Sequence, residues 1–93
     1  MNPWIIDVDH VADPSARPRS NQNAVGVRGP YGYAGDGKEL KCAFQMFDDD
    51  GILYYSGRSA AVGFEPLDNF GMPNSGCTSI KFLNPKTDEW EVL

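Results

Sequence analysis

Between residues 41 and 57 the chain reads Lys-Cys-Ala-Phe-Gln-Met-Phe, then Asp-Asp-Asp-Gly, then Ile-Leu-Tyr-Tyr-Ser-Gly. Asp-Gly between two apolar-rich runs is the strongest short-range signal for a β-hairpin. Gly51 can take the positive φ that a type I′ turn, or a type I turn followed by a bulge, demands, at no steric cost. With Asp50-Gly51 as a two-residue loop, Phe47 faces Tyr54 and Met46 faces Tyr55. Such cross-strand pairs contribute ~0.2–1 kcal/mol each. The remaining strands are expected to assemble on this hairpin.

A second hairpin is expected over residues 78–93. Thr78 to Leu83 alternates, with Ile80 and Phe82 on one face and Ser79 and Lys81 on the other. Asn84-Pro85-Lys86-Thr87 puts Asn and Pro where the first two positions of a type I turn favour them. Glu89-Trp90-Glu91-Val92-Leu93 then alternates again and groups Trp90 with Val92. Trp4-Ile-Ile-Asp-Val8 has the content of a short strand, expected at a sheet edge, and Ala24 to Arg28 of a weaker one interrupted by Gly26. His10 to Asn23, and the Gly-rich residues 29–38, read as loops. Between Arg58 and Gly76, the spacing of Phe64, Leu67 and Phe70 suits one helical or 3₁₀ turn laid on the sheet. Pro66 fits its start, and Gly71 with Pro73 is expected to stop it.

These readings predict an all-β fold, with a β-dominated α+β fold as the alternative. One domain spans residues 1–93, with a single antiparallel sheet of four to six strands built on the two hairpins and at most a short helical turn. Phe44, Met46, Tyr55, Ile80, Phe82 and Trp90 are expected to share one core. Hydrophobic residues make up 41% of the chain, enough to argue against wholesale disorder. The opening Met-Asn-Pro-Trp-Ile-Ile-Asp lacks the basic and apolar regions of a secretory signal, and no apolar run approaches the ~20 residues of a membrane span. A cytoplasmic protein is expected, with Cys42 and Cys77 both reduced and Cys42 acting as a small buried hydrophobe.

From Phe44 onward, several short wordings recur together: Asp48-Asp49-Asp50-Gly51, Tyr54-Tyr55 with Gly57, Pro66-Leu67-Asp68 with Gly71, Gly76-Cys77-Thr78, and Trp90. With Trp4 and Asp9-His10, this pattern resembles a set of small uncharacterised bacterial proteins and covers roughly the chain without residues 11–40. The resemblance implies a bacterial domain and transfers no activity and no site residues. Pro85-Lys-Thr-Asp-Glu-Trp90 is also similar to the last turn of a kelch blade, but one hairpin without repeats cannot make a propeller.

Charge and motifs narrow the function classes. Thirteen acidic residues against eight basic give a net charge of −5, the wrong sign for tracking a phosphate backbone. Direct nucleic-acid binding is therefore disfavoured, whereas a basic protein partner, or mimicry of a nucleic acid, is compatible with the sign. The Gly-rich loop has neither G-x-G-x-x-G nor G-x-x-x-x-G-K-[ST], so no phosphate cradle and no cofactor are assigned. Tyr31 and Tyr33 on that loop are candidate contact groups, with folding back onto the core as the plainer reading. The acidic tip Asp48, Asp49, Asp50 is a candidate binding element, against simple turn chemistry. As an EF-hand loop it would begin at Met46 and end at Gly57, which supply no side-chain oxygen. His10 beside Asp7, Asp9 and Asp13 offers metal-ligand chemistry, but in a strand Asp7 and Asp9 face away from His10, and no metal site is assigned. The leading expectation is a small acidic protein-binding module, carried by a phage or other mobile element and acting as an inhibitor or nucleic-acid mimic of a host complex. The alternative is a small-molecule or cation-binding domain, or a thiol enzyme pairing Cys77 with His10.

Overall fold

The computed structural model describes residues 2–11, 24–30 and 33–93. Six strands, β1 (Trp4–Asp9), β2 (Arg28–Gly29), β3 (Cys42–Phe47), β4 (Leu53–Ser59), β5 (Ser79–Asn84) and β6 (Glu89–Val92), form one antiparallel sheet in the order β2-β1-β4-β3-β5-β6. The fold is all-β, with a nine-residue helical segment between β4 and β5. β1 is not an edge strand: it pairs with β4, and the two-residue β2 lies outside it. Of the expected strand over residues 24–28, only its last residue is in a strand. Val25 and Gly26 form a turn, with Gly26 at φ 89°.

The central hairpin closes with a type I turn and a glycine bulge rather than a two-residue loop. Gly51 N–H donates to the Asp48 carbonyl at 3.1 Å, Asp48 N–H donates to the Ile52 carbonyl at 3.1 Å, and Gly51 sits at φ 77°. This longer loop puts Leu53, not Tyr54, opposite Phe47. The ladder then absorbs Tyr54 as an extra residue and restores the Met46–Tyr55 pairing. The displaced Tyr54 carbonyl is satisfied from the far side, by His10 N–H of the β1 end at 2.8 Å.

One face of the sheet carries the core. Trp4 and Ile6 of β1, Tyr55 of β4, Phe44 and Met46 of β3, and Ile80 and Phe82 of β5 are buried there with Leu67, Phe70 and Cys77. The rings of Phe44 and Phe82 lie 6.0 Å apart, and those of Tyr55 and Phe70 meet edge to face at 5.3 Å. Gly57 has no room for a side chain, since a Cβ there would collide with the Ile5 carbonyl and the Phe44 ring.

The helical segment differs from its expected form. It does not stop at Gly71 and Pro73 but runs through both, as a π-helical turn over Leu67–Gly71 followed directly by α1 (Met72–Ser75). Pro73 lies in the first turn of α1, the part of a helix where proline is best tolerated. Gly71 serves approach rather than termination: a Cβ there would lie 2.6 Å from Met46 Sδ. Termination falls to Gly76, left-handed at φ 72°, whose N–H donates to the Met72 carbonyl at 3.1 Å. Leu67 and Phe70 are buried, but Phe64 precedes the helical residues and is 47% exposed.

Trp90 also departs from expectation. It pairs with Leu83, in register with the sheet face opposite Ile80 and Phe82, and is 40% exposed. All four residues of β6 are exposed, because the strand is at the sheet edge and the helical segment does not reach it. Among the described residues, no helix is long and apolar enough to cross a membrane.

Candidate functional site

The residues with the most suggestive chemistry are each held in separate local structure. At the hairpin tip, Asp48 Oδ1 accepts from the N–H groups of Asp50 and Ile52, both at 2.9 Å, so this carboxylate fastens the turn. Asp49 and Asp50 are exposed. Burial, followed by the negative charge of Asp48, raises the Tyr54 phenol above its ordinary value. Tyr31 lies outside the described residues. Tyr33 donates its hydroxyl to the Glu39 carboxylate within the same loop, a bond that is the first cause of its raised pKa.

Asp7, Asp9 and His10 do not converge. The bulge in β1 between Ile6 and Val8 turns Asp7 towards Arg58, which grips it through Nε at 2.7 Å and Nη2 at 2.9 Å. That two-point contact raises the Arg58 pKa. The Asp9 carboxylate accepts from Val11 N–H at 3.0 Å and Ala24 N–H at 2.8 Å, tying residue 24 to the end of β1. His10 Nε2 bonds Ser56 Oγ at 2.7 Å, in the open. Asp13 lies outside the described residues. Among the described residues, no three His, Cys, Asp or Glu side chains gather as metal ligands.

The structure does not bring Cys77 and His10 together as a thiol–imidazole pair. Cys77 is fully buried in the core, and burial, with a smaller contribution from Asp48, pushes its thiol up to about 12. A thiol so placed is protonated at neutral pH and is a poor nucleophile. His10 reaches Ser56, whose side chain alternates away from the core residues Tyr55 and Gly57. Cys42 is half-buried against the core, and both cysteines are free.

A shallow cavity is lined by Trp4, Val27, Arg28, Gly29, Pro30, Asn69 and Phe70. Among the described residues, Trp4 Nε1 has no hydrogen-bond partner, and it is buried with Gly29 against the indole edge.

The second face of the sheet divides in two. On its β1–β4 side, Arg58 reaches up to the loop before β3, with Nη1 donating to the Gly37 carbonyl at 3.4 Å, and Leu40 of that loop is buried. On its β5–β6 side, Lys81 sits 4.8 Å from the centre of the Phe47 ring, and beyond it Leu83, Trp90 and Val92 share one face. Val92 is 67% exposed. Across the strand, Glu89 and Glu91 line up with Asn84 and Phe82 beside a concavity formed by Val62, Phe82, Glu91 and Leu93. The β5–β6 border thus combines exposed apolar side chains on one face with carboxylates on the other, and Asp88 follows directly at the turn.

Sequence reasoning assigned Trp90 to the core and gave Glu89, Glu91 and Val92 no role. The available signal was the pair of glutamates alternating with Trp90 and Val92, since charges at every second position argue against a strand buried on both faces. Compared with protein-family models, with curated proteins and with solved structures, the chain matches none.

Proposed function

We propose that this chain is a protein-binding module whose partner docks on the β5–β6 border of the sheet. One observation carries the reading: Trp90 and Val92 are exposed together on one face of β6, with the carboxylates of Glu89 and Glu91 on its other face and Asp88 at the adjoining turn. Aromatic and aliphatic anchors within a polar rim are the composition of a docking surface, and the anchors supply most of the binding energy. The acidic rim and the net charge of −5 favour a basic partner surface, including one that otherwise holds nucleic acid. Two unbonded thiols accord with work in the reducing cytoplasm.

A photo-crosslinking residue placed at position 90, and separately at the tip position 49, tests this reading in cells of the source organism. The expected result is one discrete adduct from position 90, competed by excess unlabelled protein and lost in the Glu89→Lys, Glu91→Lys double variant. Adducts of equal yield from both positions, or none from 90, would remove the border as the docking surface.

A further inference from the structure

The border holds a feature more specific than its composition. Leu93 N–H donates to the Ile80 carbonyl at 3.0 Å, and the β5–β6 register continues that pairing as Phe82 with Glu91 and Asn84 with Glu89. In an antiparallel ladder hydrogen-bonded and non-hydrogen-bonded pairs alternate, so the intervening pairs, Lys81 with Val92 and Leu83 with Trp90, are not hydrogen-bonded to each other. The N–H and C=O groups of Trp90 and Val92 therefore point away from β5, out of the sheet edge. β6 is the terminal strand, and no strand among the described residues pairs with its outer side.

Resting on the reading of the border as a docking surface, we infer that β6 receives an extended segment of the partner as a seventh strand. The segment's backbone bonds to the outward groups of Trp90 and Val92, and its side chains alternate between the two faces. One set lies beside Trp90 and Val92 and is apolar. The other lies beside Glu89 and Glu91 and is basic. The recognised chemistry is a strand of alternating Lys or Arg with Val, Ile or Leu. A second copy of this chain does not fit: paired β6 strands from two copies would bring Glu89 and Glu91 of each against those of the other, and like charges across a ladder repel.

The test uses capped peptides with this protein, read by amide shifts of residues 89–93 and by Trp90 fluorescence. The probe alternates Lys and Val over eight residues. Controls carry the same composition as a Lys block followed by a Val block, or Glu in place of Lys, or N-methyl groups on those backbone nitrogens that would face β6. The alternating peptide should bind at least ~10-fold more tightly than every control and weaken as salt is raised. In the protein, Val92→Pro removes an outward N–H while sparing the bonds to β5, and Pro is tolerated on an edge strand in that orientation. This variant should keep its melting temperature and lose the peptide. If it fails to fold, the N-methylated peptide still decides. Equal binding of the N-methylated and unmodified peptides overturns strand addition, as does peptide-free dimerisation abolished by Val92→Pro. A crosslink at position 90 that persists in Val92→Pro likewise overturns strand addition while leaving the docking reading intact.

Discussion

In the β3–β4 hairpin, Phe44, Met46 and Tyr55 are completely buried, whereas in the β5–β6 hairpin every residue of β6 is exposed. The two hairpins are written in the same alternating pattern, and each carries acidic residues at or beside its turn. They differ in what lies beside them. β3 and β4 are central, with neighbours on both edges and the helical segment over one face, while β6 has a neighbour on one edge and no helix above it. The acidic residues divide accordingly. Asp48 is occupied by backbone N–H groups of its own turn, whereas Glu91 accepts a 3.4 Å bond from the Asn84 side chain and, with Glu89, alternates with the exposed Trp90 and Val92. Alternation establishes that a strand has two unlike faces, and sheet order decides whether either face serves stability or recognition.

Substitutions in the two hairpins should separate these roles. Phe82→Ala removes a core ring that packs against Phe44, and it should cost ~3–5 kcal/mol in urea unfolding. Trp90→Ala, one strand over, should cost under ~1 kcal/mol despite the larger side chain. Equal costs would erase the distinction between the hairpins. Next in size is Gly57→Ala, expected to cost ~1–3 kcal/mol because the new methyl meets the Ile5 backbone as well as the Phe44 ring. A melting temperature that does not move would mean the β1–β4 spacing is looser than described.

The acidic stretches offer a finer contrast. Asp48→Ala strips two N–H groups of their acceptor and should cost about 1 kcal/mol, whereas Asp48→Asn keeps the accepting oxygen. Asp49→Asn, Glu89→Gln and Glu91→Gln should each stay within ~0.5 kcal/mol of the parent. A large loss from either glutamate would assign it to the fold instead of the docking surface.

The smallest effect at neutral pH concerns Cys77. Its thiol is held up to about 12 in the folded chain, against 9.0 for an unperturbed cysteine. The unfolded chain therefore releases this proton first, and the stabilising contribution is intact below pH 9 and lost progressively between pH 9 and about 12. Over that window the parent should lose stability more steeply than Cys77→Ala, while at pH 7 the pH dependence of the two should coincide. Parallel curves throughout would mean that Cys77 ionises as readily folded as unfolded.

Much of the fold is legible in the chain. Asp50-Gly51 marks the central reversal, Asn84-Pro85 marks the second, and alternation places Ile80 with Phe82 and groups Trp90 with Val92. Three features are not legible, each for a physical reason. The Tyr54 bulge is accommodated by the bond from His10 N–H to the Tyr54 carbonyl, a contact between residues far apart in sequence. Passage of the helix through Gly71 and Pro73 depends on how closely it lies against Met46. Exposure of Trp90 depends on which strand is last, and strand order has no local signature. The candidate site belongs to this third kind. Its residues are ordinary one by one, and they acquire meaning from an edge that only the assembled sheet defines.

The two borders of the sheet are unequal, and that inequality sets a valency. β2 offers two residues, Arg28 and Gly29, followed directly by Pro30, which has no N–H to give. β6 offers four. A sheet that could accept a strand on both sides would let molecules join head to tail and grow into an open filament. With one long border and one stunted border, the sheet offers strand addition on the β6 side, and the expected contact places one partner strand on each molecule.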